Sequence, residues 1–155
     1  MTIHLIRHAK AGSRARWEQP DAQRPLSPAG AAQAVRLGDL LADAGISRLV
    51  ASPSLRCRQT LEPLGARLGL DVGVDAALAE GASGATALDA LLAMAAIAPD
   101  LAACSHGDVI PEVVRLLADR GVEVEGGASV AKAGRVALEV RRGAVSAVRC
   151  FPPPA

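Results

Sequence analysis

The pattern of apolar positions begins with a short strand at the amino terminus. Ile3, Leu5 and Ile6 are strong strand formers, and the apolar run stops at Arg7 and His8. A strand that starts this early is expected near the centre of a sheet, with its carboxyl end at the edge where α/β folds bind ligands. The pattern therefore places a guanidinium and an imidazole side by side at that edge.

Helical and extended segments alternate along the rest of the chain. Ser27 and Pro28 indicate a helix start, because serine caps helices and proline suits the first turn, and Gly45 ends the apolar period. The same reasoning predicts helices at residues 28–44, 55–68, 86–98 and about 108–120, and strands at 46–51, 71–74 and 101–104. Alternating segments around Arg142 and Gly143 predict a hairpin of strands 134–141 and 144–150.

This order of segments predicts an α/β fold. We expect a three-layer αβα sandwich with a mostly parallel central sheet and an antiparallel hairpin at the carboxyl terminus. Residues 1–151 are expected to form a single domain, followed by a loose, Pro-rich tail at residues 152–155. The parallel strands then bring the polar residues that follow them to one edge of the sheet.

The composition argues against several classes of function. Of the 155 residues, 50% are hydrophobic and 21% are charged, with a net charge of +1, which favours a globular domain without a nucleic-acid-binding surface. One Trp, one Phe and no Tyr provide no platform for stacking bases. We expect neither a leader nor a membrane span, and therefore a cytoplasmic protein. Cys57, Cys104 and Cys150 match neither a disulfide framework nor a metal-ligand spacing.

The segments that follow the predicted strands carry side chains suited to phosphate chemistry. Arg7 and His8 follow the first strand, and Arg56 follows the second. Glu80 follows the third strand, and His106 follows the fourth. Two arginines, two histidines and one carboxylate suit phosphoryl transfer without a metal ion, because cationic side chains neutralise the phosphoryl oxygens.

A long basic loop at residues 11–25 follows the first strand. The loop lacks an apolar period, and loops of this length inside compact domains are commonly functional. Lys10 and Arg16 are candidates for contact with a second phosphate or an acidic substrate, and the alternative is that both are simply solvated. Trp17 either covers a ligand or packs on the core from outside.

Four motifs, in order, resemble those of the histidine phosphatase superfamily, historically named for phosphoglycerate mutase. Residues 5–9, Leu-Ile-Arg-His-Ala, are similar to its R-H-G motif, and residues 26–30, Leu-Ser-Pro-Ala-Gly, to its L-T/S-x-x-G helix start. Residues 52–60 resemble its S-P-x-x-R-x-x-Q-T segment, and residues 105–107, Ser-His-Gly, its second G-H segment. Within the superfamily the chain resembles the short SixA branch, without cap insertions, and the phosphatase domain fused to Nudix hydrolases in actinobacteria.

The resemblance implies a phosphatase that needs no metal and no cofactor. His8 would attack phosphorus and form a phosphohistidine, which water then hydrolyses. Arg7, Arg56 and a protonated His106 would bind the phosphoryl oxygens. Glu80 would be the general acid that protonates the leaving oxygen.

The resemblance also implies the partners. The expected partner is a phosphorylated small molecule, such as a nucleoside di- or triphosphate, or a phosphohistidine protein. We expect no binding to a nucleic-acid polymer or to a membrane. The chain departs from the family pattern at Ala9, which replaces a glycine, and at Ser105, which precedes the second histidine. These departures leave open an alternative, a degenerate member that binds phosphorylated ligands without turnover.

Overall fold

In the computed structural model, which describes residues 1–127 and 129–155, a mixed sheet lies between two layers of helices. The strands are β1 (Thr2–Arg7), β2 (Arg48–Ala51), β3 (Val72–Val74), β4 (Leu101–Ser105), β5 (Val124–Glu125), β6 (Arg135–Arg141) and β7 (Ala144–Phe151). The helices are α1 (Pro28–Leu41), α2 (Leu55–Leu68), α3 (Gly84–Ile97) and α4 (Val109–Asp119). Short 3-10 turns lie at Asp21–Gln23 and Ala76–Leu78.

The order of the strands is β3-β2-β4-β1-β6-β7-β5, so β1 lies at the centre of the sheet. β1 and β2 each run parallel to β4, β2 to β3, and β5 to β7, whereas β6 is antiparallel to both β1 and β7. The predicted αβα fold with its terminal hairpin is therefore confirmed. The two residues of β5 escaped prediction because so short a strand carries no readable period.

Two apolar clusters hold the layers together, one on each face of the sheet. Ile3 and Leu5 of β1 join the cluster beneath α3 and α4. Ile6 points to the other face and joins the cluster beneath α1 and α2. Because successive side chains of a strand alternate between faces, the strand is covered on both sides at its carboxyl end.

The start of α1 fixes the loop that follows β1. The Ser27 hydroxyl accepts a hydrogen bond from the Gly30 N–H at 3.1 Å, as predicted for a capping serine. A β-carbon at Gly30 would overlap the carbonyl oxygen of Lys10, so only glycine permits this approach. The helix ends at Leu41, earlier than predicted, and the boundary predicted at residue 151 stays a prediction.

Candidate active site

The carboxyl ends of β1, β4 and β2 lie side by side at one edge of the sheet. Arg7 ends β1 and His8 follows it, His106 follows β4, and Ser52 follows β2. Helix α2 starts just after β2, so Arg56 lies in its first turn. Parallel strands open a crevice beyond their carboxyl ends, and Arg7, His8 and His106 meet in it, with Arg56 outside its lining.

The imidazole of His8 is held in one tautomer. Its Nδ1 lies 2.8 Å from the Ala9 carbonyl oxygen, so Nδ1 carries the proton and donates, and Nε2 keeps its lone pair. Burial lowers the pKa of His8 to about 4, and the positive charges of Arg56 and Arg7 act in the same direction. His8 is therefore neutral near pH 7, with an unprotonated nitrogen available for bonding to an electrophile.

Arg7 and Arg56 are both anchored by backbone carbonyls. Nη1 of Arg7 donates to the Val130 carbonyl at 2.9 Å, and Nη1 of Arg56 donates to the Asp21 carbonyl at 3.0 Å. The Nε atoms of both arginines are buried and have no hydrogen-bond partner. A β-carbon at Gly107 would lie 2.7 Å from the guanidinium of Arg7, so glycine leaves room for this side chain.

His106 packs beside His8, with the two ring centroids 5.4 Å apart in an edge-to-face arrangement. Its Nε2 lies 2.8 Å from the Ser52 hydroxyl and 3.5 Å from the Cys57 sulfur. Its Nδ1 is buried without a hydrogen-bond partner, like the two arginine Nε atoms. Buried polar groups in folded proteins are normally paired, so three unpaired nitrogens around one imidazole favour a site for an oxyanion.

Two carboxylates lie against the arginines at the mouth of this site. Glu80 contacts Arg14 at 3.0 Å and Arg56 at 3.4 Å. Asp21 contacts Arg56 at 3.1 Å and Arg24 at 3.0 Å. Burial alone would raise the pKa of Asp21, but these arginines outweigh it and lower the pKa. Sequence reasoning missed Asp21, whose one signal was its place in the basic loop.

The pocket at this edge, which we name the His8 pocket, has a volume of about 420 Å³. It is lined by the β1 and β4 ends and by the loops facing them, with Arg7, His8, residues 11–14, Arg24, Glu80, residues 106–108 and Lys132. Arg14, Arg24 and Lys132 therefore form the basic rim of the pocket, and none of them was predicted as a site residue.

The three predicted binding residues lie outside the lining of the His8 pocket. Lys10 is exposed, and its backbone N–H donates to the Gln33 side chain at 2.9 Å. Arg16 is exposed on the loop, and Trp17 is half-buried with its indole N–H donating to the Pro20 carbonyl at 3.0 Å. Trp17 is thus tied to its own loop.

The described residues hold no group of three or more histidine, cysteine and acidic side chains placed to bind a metal ion. None of their helices is both long and apolar enough to cross a membrane. Cys57, Cys104 and Cys150 are free thiols, and all three are buried. The contact between Cys57 and His106 was not predicted, since sequence spacing does not reveal it.

A fixed, neutral imidazole among cationic donors, at the carboxyl edge of an αβα sheet, is suited to bind an anion in an α/β protein. The family model of the histidine phosphatase superfamily (branch 1) matches residues 3–87, more than half of the chain. The chain belongs to the histidine phosphatase superfamily. This membership confirms the resemblance seen in its motifs.

A curated relative is similar to part of the chain, and solved structures share its fold. An 8-oxo-(d)GTP phosphatase of Mycolicibacterium smegmatis is 34% identical over 122 residues, which cover 77% of this chain and 38% of that protein. The structure of the protein histidine phosphatase SixA complexed with tungstate has a TM-score of 0.77 at 20% identity, covering 97% of this chain and 94% of that one. A mycobacterial glucosyl-3-phosphoglycerate phosphatase has a TM-score of 0.74 at 17% identity, covering 96% of both chains. These structures share the fold.

Proposed function

We propose that the chain is a metal-independent phosphatase that forms a phosphohistidine on His8. The observation that carries the proposal is the tautomer of His8: Nδ1 is bound to the Ala9 carbonyl at 2.8 Å, and Nε2 is free to attack. In the first step Nε2 bonds to phosphorus and the oxygen of the leaving group departs. In the second step water displaces the histidine and releases inorganic phosphate.

The surrounding donors support this role. The Nε–H groups of Arg7 and Arg56 and the Nδ1 of His106 are the buried nitrogens around His8 that lack a partner. The charge of a transferring phosphoryl group spreads over its oxygens, and fixed donors in a site shielded from water stabilise it best. A proton on both nitrogens of His106 would add a third donor, with Ser52 accepting from Nε2.

Glu80 is proposed as the general acid. Its carboxylate borders the pocket and is 43% exposed, within reach of both solvent and a leaving group. A carboxyl group in this place can protonate a departing oxygen and then activate the water. Its contacts with Arg14 and Arg56 hold the side chain beside the pocket before a substrate arrives.

For the substrate, the basic rim favours a small molecule with more than one phosphate, such as a nucleoside di- or triphosphate. Arg14, Arg24 and Lys132 add three cations to Arg7 and Arg56. The name of the M. smegmatis relative, an 8-oxo-(d)GTP phosphatase, supports the same class. We expect loose selectivity for the base, since Trp17 lies outside the pocket lining.

A phosphohistidine protein is the second candidate substrate. The His8 pocket opens directly to solvent, and the SixA fold, found in a protein histidine phosphatase, matches nearly the whole chain. Release of phosphate measured across nucleotides and a phosphohistidine carrier protein decides between the two candidates.

The experiment that tests the mechanism is quenching in an alkaline denaturant after mixing with a substrate labelled in its transferable phosphate. A labelled protein that is stable in base and labile in acid is expected in the unmodified chain and absent from His8→Ala, with EDTA present throughout. Activity that EDTA removes and Mg²⁺ restores would contradict the proposal. Stable binding of vanadate without turnover on any substrate would instead support the degenerate, non-catalytic alternative.

A further inference from the structure

A second cavity lies on the part of the sheet that α1 and α2 leave uncovered. In β6, Val136 and Leu138 join the core beneath α3 and α4, so Arg135 and Ala137 face the opposite side. There, β1, β5, β6, β7 and residue 123 line a cavity of about 420 Å³, which we name the open-face cavity. None of its lining residues belongs to a helix in the described part of the chain.

Two buried nitrogen atoms on the floor of this cavity lack a hydrogen-bond partner. They are Nδ1 of His4, a residue that is 8% exposed, and Nε of Arg135. The guanidinium of Arg135 lies over the ring of Phe151, with Cζ 3.8 Å from the ring centroid. The other buried side-chain nitrogens of this kind among the described residues belong to Arg7 and His106, which line the His8 pocket, and to Arg56, which contacts Glu80 of that lining.

The acidic side chains of the open-face cavity are exposed, and two of them are already engaged. Glu125 pairs with Arg149 at 3.0 Å, and Glu139 accepts a hydrogen bond from the Thr2 hydroxyl at 2.9 Å. Glu123 completes the acidic part of the rim. Exposed charges are screened by water, so these glutamates weigh little against a charge on the floor.

The charge on the floor is that of Arg135. Burial lowers the pKa of Arg135, which remains a cation, and burial together with the charge of Arg135 lowers the pKa of His4, although Asp100 and Glu139 act in the opposite direction. A half-buried guanidinium stacked on an aromatic ring keeps its N–H edge for a planar oxyanion. Arg141 adds a second cation at the rim.

We infer that the open-face cavity is a second binding site, for a small organic anion whose carboxylate or phosphate group contacts Arg135 and His4. The volume suits a molecule of the size of a nucleotide or an aromatic acid. Exposed glutamates at the rim would accept hydrogen bonds from donors elsewhere on the ligand. The site is separate from the His8 pocket and does not depend on the proposed phosphatase mechanism.

The composition of the chain gives this site a local reporter. Phe151 is the only phenylalanine, so incorporation of 4-fluorophenylalanine produces a single fluorine resonance directly beneath Arg135. The full chain is titrated separately with inorganic phosphate, adenosine monophosphate and benzoate. We expect at least one probe to shift the resonance to saturation with a midpoint below about 1 mM. The phosphate and carboxylate arms then tell which oxyanion the site prefers.

Variants assign the shift to the cavity. Arg135→Gln is expected to weaken the binding at least about tenfold, and Arg135→Lys, which keeps the charge, less. Arg36→Gln, an exposed position on α1, is the matched control and should leave the midpoint unchanged. Thermal unfolding of each variant shows whether it is folded, and His4→Gln replaces Arg135→Gln if the latter is not.

Two results would overturn the inference. In the first, no probe moves the Phe151 resonance up to about 10 mM. In the second, the shift survives Arg135→Gln but disappears in Arg56→Gln, which would place the bound anion in the His8 pocket. Either result leaves the phosphohistidine assay unaffected, so failure here and failure of the proposed function are distinguishable.

Discussion

His4, within β1, and His8, just after β1, are both buried but lie in contrasting surroundings. Burial is the largest cause that lowers the pKa of both His4 and His8. The Nδ1 of His8 is bound by the Ala9 carbonyl, whereas the Nδ1 of His4 has no partner. Both regions therefore hold a buried imidazole with a lowered pKa. Only His8 also has a fixed tautomer and several cationic side chains beside it, which is the arrangement that the proposed phosphoryl transfer needs.

The strongest way to break this comparison is to remove the His8 ring. We expect His8→Ala to lower the rate of phosphate release by at least about 10³-fold, because Nε2 of His8 is the atom proposed to bond to phosphorus. The exposed Arg36→Gln serves as the matched control. A labelled phosphoprotein that persists in His8→Ala would show that the nucleophile lies elsewhere.

Removing one cationic donor should have the next largest effect. Arg56→Ala is expected to lower kcat by about 10²-fold, the usual loss when a donor to the transition state is deleted. Arg58→Ala is the matched control, since Arg58 lies on the same helix but is half-buried where Arg56 is fully buried, and should leave kcat nearly unchanged. Equal kcat values for the two variants would contradict the assignment of Arg56.

Glu80→Gln sharpens the comparison between His8 and His4. The proposed general acid lies beside the His8 pocket, and no such group is proposed near His4. We expect a loss of about 10²-fold with an alkyl phosphate, whose alkoxide leaves poorly, and a smaller loss with an aryl phosphate. Rates measured on both substrates give the ratio, and Glu62→Gln, exposed on α2, is the control. An equal loss on both substrates would argue for a role of Glu80 in binding alone.

The smallest effect concerns protonation. We expect His8 to titrate at about pH 4 and His4 below its usual 6.5, as followed by the imidazole resonances of the three histidines. Because both pKa values are lowered on folding, the unfolded chain binds more protons below pH 6.5, and the stability falls as the pH drops toward 4. Titration of His8 near 6.5 would contradict the account of its burial.

The fold and the centre of the site were predictable because both depend on local pattern. Alternation in β6 and β7 and the apolar runs of β1 and β4 appear directly in the sequence. Once the strands are parallel, residues such as His8 and His106 must meet at one edge. The family motifs supplied the roles of these residues, which remain proposals.

The rim of the pocket was not predictable in the same way. Asp21 and Arg24 lie in or beside a short 3-10 turn, and Lys132 precedes β6, so no period in the sequence indicates which way their side chains point. Lys10 seemed a better candidate because it adjoins His8. In the structure the backbone at Lys10 turns toward α1, where Gly30 packs against its carbonyl, and the side chain is exposed.

The carboxylates that contact Arg56 affect the binding and the release of ligands. Asp21 and Glu80 contact the guanidinium at 3.1 Å and 3.4 Å, so an incoming anion meets a cation that already has counter-ions. A ligand that binds Arg56 then replaces a carboxylate of the protein. When the ligand leaves, Asp21 and Glu80 again neutralise the guanidinium. Such an exchange weakens capture but speeds release, which suits a site that must be cleared of inorganic phosphate after every cycle.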